Sequence, residues 1–94
     1  GEALYAEMAD AKRSGIVPGT ESANLLAEKH RMMVSQLFEC THSMQVCLGQ
    51  LYVGDERFAA FFTDLEPGLA GWVAEVINAN ARSHGIDPDH AVWE

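Results

Sequence analysis

The apolar residues Met33, Leu37, Cys40, Met44, Cys47 and Leu51 advance in steps of 4, 3, 4, 3 and 4, the spacing of one stripe along an α-helix. On an unbroken helix the thiols of Cys40 and Cys47 share a face, about two turns or roughly 10 Å apart, too far for a disulfide. Thr41 interrupts that stripe. Threonine is a strong N-cap, its hydroxyl accepting from an amide two or three residues on. The cap predicts a break near Cys40-Thr41, with one helix ending at about Phe38 and another running from His42 to Tyr52. A bend there turns the two thiols relative to each other.

The remaining punctuation also divides the chain into helices. Residues 2–14 are rich in Ala, Glu, Met and Lys, and Gly15 supplies a C-terminal stop. Ile16-Val17-Pro18-Gly19-Thr20 reads as a connection, after which Thr20 or Ser22 caps the second helix. Gly54 closes the third, and Asp55 caps a fourth with Glu56 in its first turn, carrying Phe58, Phe61, Phe62 and Leu65. Glu66-Pro67-Gly68 opens a fifth, with Pro67 expected in its first turn and an apolar face of Leu69, Trp72, Val73, Val76 and Ile77. Gly85 stops it, and the tail from Ile86 to Glu94 is expected to fray, with Trp93 as its one docking group. No segment reads as a strand. The expected architecture is an all-α bundle of about five helices in a single domain over residues 1–94.

Charge and cysteine usage exclude several functions. Fourteen acidic residues against six basic ones give a net charge of −8, and the basic residues are scattered in ones and twos. Nucleic-acid binding needs clustered Lys and Arg, so this chain is not expected to bind DNA by itself. No apolar run approaches the ~20 residues of a membrane span, and the first residues lack a basic signal-peptide start. A cytoplasmic protein with reduced thiols is expected. The spacing Cys40-x-His42…Cys47 fits no common zinc pattern, so neither a metal nor another cofactor is expected. No Ser-His-Asp set, phosphate loop or carboxylate pair is evident, and capping accounts for Asp55 and Glu56.

Several phrases, taken in order, carry a family resemblance: Glu28-Lys29-His30-Arg31, Phe38-Glu39-Cys40-Thr41-His42-Ser43-Met44, Cys47-Leu48-Gly49-Gln50-Leu51-Tyr52-Val53-Gly54-Asp55-Glu56-Arg57-Phe58, Pro67-Gly68-Leu69-Ala70 and Ile77-Asn78-Ala79-Asn80-Ala81. From His30 to Ala81 the chain resembles the TipAS family, the antibiotic-recognition domain of MerR-type transcription regulators; residues 1–27 match only in helical character. The resemblance implies a globin-like helical fold without haem, with a groove for bulky, largely apolar natural products such as thiopeptides. It also implies that DNA binding and homodimerisation belong to regions outside this chain.

The family resemblance sorts the candidate residues. In the best-known thiopeptide sensor a cysteine at the position of Cys47 adds to a dehydroalanine of the drug, and many relatives carry glycine there. Cys47 is therefore the expected covalent attachment point, and Cys40 a packing residue at the helix junction. Met44, Met33, Leu37, Phe38, Cys40 and His30 are the other expected ligand-binding residues. Phe38 departs from the Tyr or Trp frequent at its position and lacks their polar handle; several relatives have proline where His42 stands. The expected function is a non-enzymatic, drug-sensing effector domain. The alternatives are a standalone antibiotic sequesterer of the same fold and a thiol-redox protein or enzyme.

Overall fold

Glycine decides where two of the helices stop. The computed structural model describes residues 2–94, and in it helix α1 (Glu2–Arg13) and helix α5 (Leu69–Ser83) end on the same motif. Gly15 (φ 85°) and Gly85 (φ 81°) take the left-handed conformation. The amide of Gly15 donates to the Lys12 carbonyl and that of Ile16 to Ala11; Gly85 and Ile86 repeat the pattern on Arg82 and Ala81. These are Schellman closures, which satisfy orphan carbonyls and fold the next residue back over the helix end. Ile16 and Ile86 accordingly pack onto the core from opposite ends of the sequence.

Helices α2 (Glu21–Val34), α3 (His42–Gly54) and α4 (Glu56–Leu65) complete the bundle, followed by a short 3₁₀ turn at Pro88–His90. There is no strand among the described residues. Side-chain caps start the middle helices: Thr20 accepts from the Ala23 amide, Thr41 from Met44 and Asp55 from Arg57. The second helix is therefore capped by Thr20 rather than Ser22, and the break at Thr41 is real.

Three boundaries differ from expectation. Helix α2 ends at Val34, four residues before Phe38. The side chains on either side of the link explain why: the Ser35 hydroxyl accepts from the Cys40 amide at 3.3 Å, and Arg31 Nη1 donates to the Cys40 carbonyl at 3.0 Å. These bonds pull the chain back toward α2 in competition with further helix. Pro67 is not in the first turn of α5; that helix has Gly68 (φ 79°) as its N-cap, leaving Pro67 in the preceding turn. The tail does not fray. Ser43 Oγ both donates to the Val92 carbonyl and accepts from the Val92 amide at 2.8 Å, Thr41 Oγ1 donates to the Glu94 carbonyl at 2.9 Å, and Trp93 packs on Phe38.

The core is one cluster centred on Met8, Leu26, Val46, Phe62, Leu69, Val73 and Ile77, with Ala23, Ala27 and Val76 buried beside it. The most extensive helix pair is α3 with α5. Gly49 allows their close approach: a Cβ there would meet Ala74 Cα and Ile77 Cδ1 at 3.4 Å. At the N-terminal side, Lys12 and Arg13 reach Glu66 at 3.1 and 2.9 Å, fastening the end of α1 to the α4–α5 turn. Gly49→Ala is expected to leave thermal stability unchanged or raised, since its methyl just fits and alanine gains about 1 kcal/mol of helix propensity over glycine. Gly49→Leu is expected to cost about 1–3 kcal/mol by prying α3 from α5. Thermal unfolding followed by circular dichroism checks both.

Candidate ligand-binding site

Beneath the surface of the bundle lies a layer of polar side chains that is fully hydrogen-bonded. His30, Gln45 and Asn80 are all buried. The Gln45 amide nitrogen donates to the Ala27 carbonyl at 2.8 Å and to His30 Nδ1 at 2.9 Å. His30 must then carry its proton on Nε2, which lies 3.0 Å from the Tyr52 hydroxyl. Tyr52 and Tyr5 both line the aromatic cup beside this layer. Burial drives the His30 pKa down to about 4, in keeping with a neutral ring whose Nδ1 accepts a bond. His30 is thus a satisfied structural histidine, with both ring nitrogens bonded to α3 through Gln45 and Tyr52.

Glu28 anchors a second network one turn away. Arg31 Nη2 donates to its Oε1 at 2.8 Å, Asn80 Nδ2 to its Oε2 at 2.6 Å, and His42 Nε2 lies 2.9 Å from the same oxygen. Partial burial alone would raise the Glu28 pKa, but bonds from Arg31, Asn80 and His42 outweigh it and hold the carboxyl at about 2. Burial, with the nearby Arg31 and His84, holds the His42 pKa below its usual value against the opposing pull of Glu28. The His84 ring stacks on His42 with centroids 4.0 Å apart.

Three concave regions surround these networks. A groove of about 990 Å³ runs between α1 and α2, its apolar wall including Leu4, Ile16, Leu25, Leu26, Met32 and Met33, with Glu7, Asp10 and Lys29 on its rim. A cup of about 500 Å³ is made by Tyr5, Tyr52, Phe58, Phe61, Phe62 and Arg57. A cleft of about 440 Å³ lies under the C-terminal tail between His42, His84 and His90. Drug-sized ligands occupy sites of this size lined mainly by apolar and aromatic groups. The α1–α2 groove and the aromatic cup have that character.

The expected site residues are spread over this surface rather than gathered at one point. Met33 lines the α1–α2 groove. Leu37 is 85% exposed in the α2–α3 link, and Phe38 is exposed beneath Trp93. Cys40 and Met44 are buried at the start of α3. Both cysteines are free thiols, and burial raises the pKa of Cys40 despite the nearby Arg31 guanidinium. Cys47 is half-buried. On α3 it lies four residues after Ser43 and three before Gln50, on one helix face. Ser43 binds Val92, and Gln50 reaches the Pro88 carbonyl at 3.5 Å, so Cys47 sits between the two points where the tail is fastened.

The comparisons with known proteins fit this architecture. The sequence matches the TipAS antibiotic-recognition domain over residues 1–80, a span that takes in α1 as well as the central helices. The chain belongs to the TipAS family. It is 39% identical over 66 residues to the HTH-type transcriptional activator TipA of Streptomyces coelicolor and, to the same extent, to that of Streptomyces lividans. Those alignments cover 69% of this chain and 26% of each relative, so the TipAS domain here corresponds to about a quarter of the activators it resembles. No solved structure matches the chain. No helix among the described residues is long and apolar enough to cross a membrane.

Sequence reasoning did not assign Glu28, His42, Gln45, Asn80 or His84 to any shared site. Glu28 and His30 stood together in one of the phrases carrying the resemblance, but their partners on α3 and α5 are 14 to 52 positions away. Ser43 gave no signal, because its role depends on where the tail returns.

The two networks set the acid stability with a definite sign. His30 titrates near pH 4 when folded and about 6.5 when unfolded, so its contribution is complete above about 6.5. Between those values the unfolded chain binds a proton that the folded chain refuses. Stability therefore falls with falling pH, by up to about 3 kcal/mol. Glu28, at about 2 instead of its usual 4.5, adds a second loss that begins below about 4.5. Urea midpoints measured near pH 7 and again near pH 5 are expected to drop sharply in the natural protein and much less in His30→Gln.

Proposed function

We propose that this chain is the drug-sensing effector domain of a MerR-type transcriptional activator, binding a bulky, largely apolar natural product of thiopeptide type and holding it covalently through Cys47. The observation that carries the reading is membership of the TipAS antibiotic-recognition family, together with identity to two proteins named as transcriptional activators. Apolar concavities between helices, and a free thiol at the expected position on α3, support it. DNA binding and dimerisation would reside in parts of the regulator outside this chain, in keeping with a net charge of −8. The domain acts by binding rather than by turnover.

The covalent step is a conjugate addition. The Cys47 thiolate sulfur attacks the β-carbon of a dehydroalanine, the electron pair of the carbon–carbon double bond moves toward the carbonyl, and the α-carbon takes up a proton from solvent. A thioether forms without a leaving group, so the adduct retains every atom of the ligand. Thiolate is intrinsically nucleophilic, and an electrophile bound beside it would have the benefit of proximity. Met33 and Met44 suit a surface that repacks around dissimilar ligands, because methionine is flexible and polarizable. Ligand binding would bias the intact regulator by its differential affinity for two states of the dimer.

Intact-mass spectrometry after incubation with a dehydroalanine-containing thiopeptide tests this reading. A gain of one intact ligand mass is expected, lost in Cys47→Ser and retained in Cys40→Ser. A gain that survives Cys47→Ser assigns the chemistry to another residue. Thermal stabilisation without any mass gain would leave a non-covalent sensor.

A further inference from the structure

We propose that Glu28, His42 and His84 form a binding site for a divalent transition-metal ion of zinc type. One ligand atom from each residue lies within 4.8 Å of the other two, although the residues come from α2, the first turn of α3 and the C-terminal end of α5. Two imidazoles and one carboxylate form a donor set that suits zinc, cobalt, nickel or copper rather than calcium or magnesium. Neither cysteine belongs to it. The proposal is independent of how an antibiotic binds.

The surroundings determine which donor atoms are left for an ion. His84 Nδ1 lies 2.9 Å from the Asn80 carbonyl, to which it donates, so the unprotonated Nε2 is the nitrogen left for an ion. The Asn80 side chain, buried on the same turn, donates to Glu28 Oε2. One asparagine thus positions two of the three ligands, one through its carbonyl and the other through its amide. Arg31 Nη2 meets Glu28 Oε1 at 2.8 Å and its Nε lies 3.3 Å from both oxygens, while Oε2 also takes Asn80 Nδ2 and lies beside His42 Nε2. His42 Nε2 now shares a proton with Oε2. An ion takes that place when the His42 proton shifts to Nδ1, leaving the ring neutral.

Two features limit affinity. The Arg31 guanidinium is a positive charge on the same carboxylate. The His42 and His84 rings are also nearly parallel, 17° apart, so their in-plane lone pairs converge only if one ring turns. His84 is exposed at the mouth of the tail cleft and has room to turn. Metal–ligand distances of about 2.0–2.1 Å in a tetrahedral site place donor atoms about 3.3 Å apart. Glu28 Oε2 and His42 Nε2, now 2.9 Å apart, must part slightly around the ion. Three protein ligands leave one position facing the cleft for water or another donor.

The test uses the untagged, reduced chain with Zn²⁺ in calorimetry and Co²⁺ in visible spectroscopy. One ion per chain is expected, with a tetrahedral Co²⁺ spectrum lacking a thiolate charge-transfer band. His84→Ala, at an exposed position, is expected to weaken binding about tenfold or more, and His90→Ala to leave it unchanged. Absence of saturable binding at excess ion overturns the proposal. So does binding that survives His84→Ala, or a thiolate band that disappears in Cys47→Ser.

Discussion

The carboxylate of Glu28 is the interaction on which the arrangement of the central helices depends. It sits on α2, takes a fork from Arg31 one turn further along, receives Asn80 from α5 and meets His42 at the first turn of α3. Arg31 in turn holds the Cys40 carbonyl, so the same charge fixes the link between α2 and α3. Each bond is charge-assisted and partly shielded from water, where such bonds are worth more than exposed pairs. Loss of the carboxylate would leave a partly buried guanidinium and a buried amide short of partners, which costs more than the absence of an attraction.

The His30–Gln45–Tyr52 layer lies beside this hub and performs a different task. It contains no net charge, and the Gln45 amide and His30 ring protons each have one direction. That fixes the register of α2 against α3, because Gln45 must meet both the Ala27 carbonyl and the His30 ring. The layer leads to the aromatic cup through Tyr52 and Tyr5. Helix α1 is tied differently, by Met8 in the core and by Lys12 and Arg13 on Glu66 at its end. Between these attachments its contact with α2 opens into the largest groove. Glu7 on α1 and Lys29 on α2, 3.1 Å apart, bridge its rim.

The legible parts of the sequence were those governed by local chemistry. Thr41 and Asp55 cap because their side chains reach amides two or three residues away, and Gly15 and Gly85 stop helices because only glycine takes a left-handed φ without strain. The stripe from Met33 to Leu51 misled at its centre: Leu37 falls on it yet is 85% exposed, since Arg31 and Ser35 turn the chain before it. Pro67 belonged to a turn, which periodicity does not distinguish from a first helical position. The tail was misjudged because its anchors, Thr41 and Ser43, lie about fifty residues earlier. The Glu28 cluster is non-local in the same sense. No spacing rule joins positions 28, 42 and 84, and only the packing of α5 against α2 and α3 brings them together.

The docked tail gives the proposed role of Cys47 a structural condition. The thiol lies between Ser43 and Gln50, where the chain from Pro88 to Val92 is fastened, and Trp93 continues that contact onto Phe38. A bulky ligand that approaches the sulfur from the side of the tail passes this segment or displaces it. Displacement breaks the two Ser43 bonds and the Thr41 bond to Glu94, and it frees Trp93 from the ring below. Those contacts lie partly in solvent and are individually modest, at about 0.5–1.5 kcal/mol for each hydrogen bond. The apparent affinity for a ligand that needs the open form falls by the fraction of molecules open. Bond formation at the sulfur, being effectively irreversible, would then draw the population over whatever that fraction is. A covalent bond suits this geometry because a half-buried thiol between two tail anchors needs only transient exposure, provided that the electrophile is already bound beside it.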